Sequence, residues 1–185
     1  MEMIPGLIVW VLLPAWIILG FLDWLCHRRS RIDIHCGPWE SIFHLLLLAL
    51  AGAGILMGLL LELNEPILAL LGLCFVLHEA VAYLDIRYAH AHRDLSPAEQ
   101  RIHDFMTAVP VSALCLIVVL HWDTVTNLFL QPARILSEPI QLKSHPLPPV
   151  QVIGVLVAVL LGVVLPYFEE LLRGVRALRA KSTAQ

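Results

Sequence analysis

Charge is scarce in this chain. Of 185 residues only 15% are Asp, Glu, Lys or Arg, against about 25% in an ordinary soluble domain, and the formal net charge is -3. The basic residues sit in short clusters beside apolar runs, which excludes the broad basic face of a nucleic-acid binder. There is no glycine-rich phosphate loop and no G-x-S-x-G elbow, so nucleotide-driven chemistry and serine hydrolysis lack their signatures. Cys26, Cys36, Cys74 and Cys115 are scattered, two of them inside apolar runs. That spacing is no disulfide framework, and free thiols are expected. The N-terminal MEMIPGLIVWVLLPAW has neither a basic flank nor a small-residue cleavage site, so it reads as a retained first helix rather than a secretory signal.

What the chain has instead is hydrocarbon. Its hydrophobic content is 59% and its mean hydropathy +0.81, the range of an integral membrane protein. A bilayer core about 30 Å thick takes about 20 apolar residues per helix. Apolar runs at 4–26, 38–61, 66–88, 97–121 and 148–172 predict an all-α bundle of five transmembrane helices in a single transmembrane domain covering 1–185. Four of the runs open on a proline, which is harmless in the first helical turn. SPAE, Ser96 to Glu99, is a capping box that sharpens the start of the fourth helix. The segment 122–147 is expected to be a long irregular loop, with a short interfacial helix near Val125 to Ile135. AGAGILMG, Ala51 to Gly58, reads as a close helix-packing face.

Cytoplasmic loops carry the excess of Lys and Arg. Arg28, Arg29, Arg31, Arg87, Arg93, Arg101, Arg173, Arg176, Arg179 and Lys181 fall on one side, with Arg134 and Lys143 on the other. The N-terminus is therefore expected outside, the C-terminus in the cytoplasm, and the protein in a membrane such as the bacterial inner membrane. The tail RGVRALRAK reads as a positive-inside anchor, with anionic-lipid contact as the alternative.

On this topology the ionisable residues gather at the cytoplasmic ends of four helices. Residues four apart project from one helix face. Asp23 and His27, Glu40 and His44, and Glu99 and His103 are three such acid and imidazole pairs. His78, Asp85 and His92, seven apart, form a stripe on the third helix, with Glu79 and His90 beside it. The predicted metal ligands are Asp23, His27, Glu40, His44, His78, Glu79, Asp85, His92, Glu99 and His103. Supporting positions are His35, His90, Tyr83, Tyr88, Arg93 and Asp104, with Tyr83 and Tyr88 as donors and Arg93 holding an anionic head group. Asp33 and Asp94 are expected in solvated loops, Glu62 and Glu65 at the interface, and Glu169 and Glu170 as surface charges facing Arg173. His121 and His145 are expected to be bystanders.

An ionised group near the bilayer centre costs about 2.5–3.5 kcal/mol even on the lenient scale, so such a gathering demands compensation. Mixed oxygen and nitrogen ligands suit iron, manganese or zinc, and bridging carboxylates can hold two ions together. Neutralisation by Arg28, Arg29 or Arg93 in a structural polar network is a second reading. A zinc clip from Cys26, His27, His35 and Cys36 is a third. Haem is disfavoured by the acids.

Between Asp23 and Asp104 the arrangement resembles, in architecture, the membrane fatty acid hydroxylases and desaturases, which collect histidines from cytoplasmic helix ends around two irons. It also resembles the ferritin-like di-metal carboxylate proteins. D/E-x-x-x-H pairs stand here in place of the HxxHH boxes of the former and the ExxH repeats of the latter. The resemblance implies two metal ions, iron first and zinc or manganese otherwise, oxygen activation, and an electron donor. A site at the leaflet boundary implies a lipid-like or other apolar substrate entering from the membrane. The alternatives are a zinc-dependent membrane hydrolase and a metal or proton carrier. Helices nearly free of ionisable groups beyond their cytoplasmic third favour a one-sided reaction centre over a conduit.

Overall fold

The computed structural model describes residues 3–183 and is all-helical, with no strand among the described residues and one isolated bridge, Leu61 to Leu142. Five helices are long and apolar enough to cross a membrane: α1 (Met3–Ser30), α3 (Trp39–Leu60), α4 (Glu65–His92), α5 (Pro97–Leu120) and α8 (Pro149–Thr183). Short helices fill the connections: α2 (Ile32–His35), α6 (Trp122–Leu130) and α7 (Arg134–Ser137). Large apolar side chains such as Val76, Val119 and Leu161 point outward, while Asp23, His27, Glu40, Glu99 and Glu170 lie within. That inversion of the soluble pattern suits a hydrocarbon solvent.

The helices outrun the apolar runs. α1 continues to Ser30, α4 to His92 and α8 to Thr183, because basic residues are good helix formers and satisfy the last carbonyls of a helix. The tail RGVRALRAK is thus the last turns of α8, packed against α2. Arg173 pairs with Asp33 at 2.8 Å and Lys181 donates to the Ile34 carbonyl. Asp33, expected in a solvated loop, is consequently half-buried. Between α1 and α3 the chain turns on left-handed Arg31 (φ 54°) and Gly37 (φ 65°). This tight connection sets Asp23 and His27 against Glu40 and His44.

The cap expected at Ser96 forms, its hydroxyl accepting from the Glu99 N–H, and Asn64 caps α4 ahead of Pro66. Wider π-type turns occur at Ile8–Leu12 and Leu160–Val164. Each ends two residues before a proline, Pro14 or Pro166, whose ring clashes with the carbonyl four residues back. In the 122–147 segment the single interfacial helix expected near Val125 to Ile135 is two helices. Gln131, Pro132 and Ala133 separate α6 from α7, because proline cannot donate into a continuing helix.

Two glycines seat α8. A Cβ on Gly162 would lie 2.7 Å from Ile17, and one on Gly174 would lie 2.8 Å from the Gly37 carbonyl oxygen. The stretch AGAGILMG does the opposite of what its small residues suggested. A Cβ on Gly52 or Gly58 would meet nothing within 4 Å, and Ala51, Gly54 and Gly58 line a cavity of about 670 Å3 between α1, α3, α4 and α5. Here small side chains leave room rather than bring backbones together.

Candidate metal centre

α8 delivers the organising group of the site, Glu170, which is completely buried. Val163, Tyr167, Glu170 and Gly174 recur at helical spacing and form the inward stripe of α8. Gly174, one turn beyond Glu170, permits the approach to Gly37 that presses this stripe home. One oxygen of Glu170 accepts from His27 Nδ1 at 3.0 Å and the other from His44 Nδ1 at 2.8 Å. The two imidazoles stack with centroids 4.6 Å apart and planes 7° from parallel.

This carboxylate fixes the chemistry of both rings. An acceptor at Nδ1 holds the proton there, so Nε2 carries the lone pair of the neutral ring. His27 Nε2 then faces Asp23 Oδ1 at 3.3 Å, Glu99 Oε1 at 3.3 Å and Glu40 Oε1 at 4.0 Å. His44 Nε2 faces Asp85 Oδ2 at 3.4 Å. Both Nε2 atoms are buried without a hydrogen-bond partner, as are His103 Nδ1 and Asp85 Oδ1. Acceptors so gathered repel one another unless a proton or a metal ion sits among them. Asp23 is held by Tyr167, whose hydroxyl donates at 3.1 Å, and by His103 Nε2 at 2.8 Å.

Among the described residues, two groups have ligand atoms close enough together to hold a metal ion: Asp23, His27 and His103, and His27, Glu40 and His44. They share His27. With Nδ1 given to Glu170, one Nε2 serves only one ion, so a second ion would draw on His44, Asp85 and the remaining carboxylates. Five buried carboxylates, Asp23, Glu40, Asp85, Glu99 and Glu170, meet one guanidinium, that of Arg93. Four negative charges are left over, to be balanced by protonated imidazoles or by bound cations.

Of the ten expected ligands, the structure brings seven together: Asp23, His27, Glu40, His44, Asp85, Glu99 and His103. His78 stands at the edge, lining a cavity of about 50 Å3 with Asp23, His44, Asp85 and His103. Glu79 and His92 are not with them. Fourteen residues of α-helix rise about 21 Å, so a stripe from His78 to His92 is too long for one centre. His92 is exposed, its Nδ1 donating to the Tyr88 carbonyl. Glu79 lies about 120° around α4 from Asp85, at 100° per residue, and only meets His78 Nδ1, at 3.3 Å.

The supporting positions also differ from expectation. Arg93 holds no external head group: its guanidinium, with the side chain only 4% exposed, bonds Glu40 and Glu99. Burial opposes its charge, but the hydrogen bonds to Glu99 and Glu40 outweigh that and raise its pKa above the ordinary value. Neutralisation by arginine and a cation-ready cluster therefore coexist. Tyr83 is exposed, about 160° around α4 from Asp85, and the Tyr88 hydroxyl donates to the Cys36 carbonyl instead of to the site. His35 and His90 are exposed and turn to carbonyls four residues back. Asp104 is exposed beside Gln100 and Arg101. No clip forms from the cysteines, because His35 faces outward and Cys36 is buried beside Glu40. Glu169 does face Arg173, and Arg28 as well. Glu170, expected beside it on the surface, is the correction with most consequence.

At the far end, Glu65 is buried, pairing with Arg134 at 3.1 Å. His121 and His145 line the outer end of the large cavity with Glu62, Lys143 and Ser144. Comparison with protein-family models, curated proteins and solved structures finds no match to this chain.

Proposed function

We propose that this chain is a membrane-embedded metalloenzyme whose two-metal centre, iron in the leading reading, oxidises a lipid-like substrate at the cytoplasmic leaflet. One observation carries the reading: the buried polar cluster adjoins the apolar cavity of about 670 Å3, with Trp16 and His78 lining both that cavity and the smaller one that Asp23, His44, Asp85 and His103 also line. A cavity of this size is that of a small-molecule site, mostly apolar with a few convergent polar groups. Asp23, His27, Glu40, His44, Asp85, Glu99 and His103 would hold the ions, which supply oxygen activation and electron transfer. Glu170 keeps the Nδ1 protons of His27 and His44 in place, and Tyr167 and His103 keep Asp23 from swinging away. Trp16 and the surrounding leucines exclude water. An electron donor would reach the site from the cytoplasmic face, where the basic helix ends lie.

The carrier reading loses support. Between His78 and the outer group of His121 and Lys143 the cavity wall is almost wholly apolar, a path that favours a hydrocarbon occupant over an ion. Elemental analysis and Mössbauer spectroscopy of protein purified anaerobically test the reading. About two irons per chain with coupled spins support it. One zinc per chain with no redox signal supports the hydrolase instead, and absence of any metal after separate reconstitution with Fe(II) and with Zn(II) refutes both.

A further inference from the structure

The large cavity has two chemically different ends, and only the inner one is used by the proposed centre. At the outer end, Lys143, Ser144, His145, His121 and Glu62 stand around the rim. Between the ends the wall is apolar over Pro5 to Trp16 on α1 and Val109 to Leu120 on α5, in each case about 16 Å at about 1.5 Å per residue. That is about half the thickness of a bilayer core. A cavity polar at one end, apolar along its length and reactive at the other fits an elongated amphiphile.

The sign of the head group follows from Lys143. Its backbone is fixed, the N–H donating to Leu60 O at 2.9 Å, and its ammonium donates to the Gly58 carbonyl at the end of α3. One carbonyl uses one of three ammonium donors. Lys143 makes no ion pair among the described residues, whereas Arg134, the other basic residue expected on this side, is taken by Glu65 and Glu138. The carboxylate at the rim, Glu62, is engaged by Ser144, which donates both its backbone N–H and its hydroxyl at 2.7 Å. Those hydrogen bonds hold Glu62 below its ordinary pKa, and burial lowers that of Lys143 with only partial relief from Glu62. A half-buried ammonium with donors to spare is a place for an anion.

We infer that the cavity binds a single-tailed anionic amphiphile head outward, with its head group at Lys143 and the far end of its tail beside His78 and the metal cluster. This rests on the cavity being the substrate site. It deepens that reading by selecting the part of the molecule presented for reaction, the tail end remote from the head, and it revises the leaflet: the head group lies at the outer face while the tail end reaches toward the cytoplasmic cluster. Gly54 and Gly58, which line the cavity, then have a purpose, since side chains there would narrow the tail's path.

Tryptophan quenching by brominated chains tests both the sign and the direction, because Trp16 lines the inner end of the cavity. The chain in phosphatidylcholine nanodiscs is titrated with 16-bromohexadecanoate, 2-bromohexadecanoate and 16-bromohexadecan-1-ol, and the Trp16 signal is taken as the difference from Trp16→Phe. The 16-bromo acid should quench Trp16 more than the 2-bromo acid. Lys143→Gln should weaken binding of the acid by about tenfold, the scale of a charge-assisted hydrogen bond, and that of the alcohol by less than about twofold. Lys143→Arg should restore the acid. Stronger quenching by the 2-bromo acid would overturn the orientation, and equal loss of acid and alcohol would overturn the head-group assignment. If Trp16→Phe perturbs the fold, the same comparison with Trp10→Phe reads the outer half. None of these readouts uses metal or turnover. Intact binding in a protein that takes no metal would sink the proposed chemistry alone, and full metal loading without head-dependent binding would sink this inference alone.

Discussion

Replacing Glu170 with glutamine tests the organisation of the site at the group that joins its two stacked imidazoles. The carboxylate accepts from two imidazoles at once, at 3.0 Å from His27 Nδ1 and 2.8 Å from His44 Nδ1. A carboxamide has one acceptor oxygen and an NH2 group that only donates. One histidine keeps its Nδ1 proton. The other faces a donor and must move its proton to Nε2, the atom a metal would need. The conflict lies in a completely buried place, so the mismatched polar groups should cost about 1–3 kcal/mol of stability. Metal affinity should fall roughly 10- to 100-fold, the usual range for losing a carboxylate behind a ligating histidine. Chelator competition followed by metal analysis measures the second effect, and thermal unfolding in detergent the first. Glu169→Gln is the control, since its partners are Arg28, Arg173 and Trp24 at the surface. Metal affinity within twofold of wild type in Glu170→Gln would show that the two rings are not held as ligands.

Four further outcomes follow from the same geometry. His27→Ala removes the residue common to both candidate ligand groups and should abolish metal retention, while His92→Ala and Glu79→Gln keep the full complement by elemental analysis. Arg93→Gln strands Glu40 and Glu99; the metal-free protein should lose about 3–5 kcal/mol, as when one partner of a buried ion pair is removed, and the loaded protein less, as unfolding with and without chelator would reveal. Gly174→Ala drives a Cβ to 2.8 Å from the Gly37 carbonyl oxygen and should cost about 1–3 kcal/mol together with metal affinity, whereas Gly52→Ala, with open space around it, should leave both unchanged. Burial first, and then the Glu40 carboxylate, push the Cys36 thiol from 9.0 up to about 12; its contribution to stability is full below the unfolded value of 9.0 and lost as pH climbs toward 12, so iodoacetamide at about pH 8.5 should label Cys36 far more slowly in the folded chain than after denaturation.

Much of the fold was legible because the bilayer simplifies the code. Apolar runs of spanning length and capping residues such as Ser96 mark the helices without reference to partners. The acid and imidazole pairs four apart, Asp23 with His27, Glu40 with His44 and Glu99 with His103, were legible for the same reason: a helix imposes its own face. Relations between helices were not legible. Glu170 sits beside Glu169 in the sequence, and only the stripe of Tyr167, Glu170 and Gly174 distinguishes the buried one from the exposed one. Spacing by seven misled at His92 because it matches direction and ignores the rise along the axis. The glycines of Ala51 to Gly58 misled because a missing side chain can serve close packing or an open cavity, and the facing helix decides which.

The same cluster explains why the chain tolerates so costly a collection of charge. Arg93 neutralises Glu40 and Glu99 in part. It cannot finish the task, since four negative charges remain and the imidazole lone pairs have no donor. In the absence of metal the histidines must take up protons to hold the carboxylates together, and each proton so bound occupies an atom that a metal would use. Metal loading should therefore release protons and weaken as the medium becomes acidic. His27 Nε2 lies 3.3 Å from Asp23 and Glu99 oxygens and His44 Nε2 3.4 Å from Asp85, so a proton on each ring joins these pairs in a polar network and a metal ion would take that proton's place. Proton and metal ion therefore compete for the same nitrogens, and proton release on titration with Fe(II) or Zn(II), measured in weakly buffered detergent solution, separates a metal centre from a polar network, which would release none.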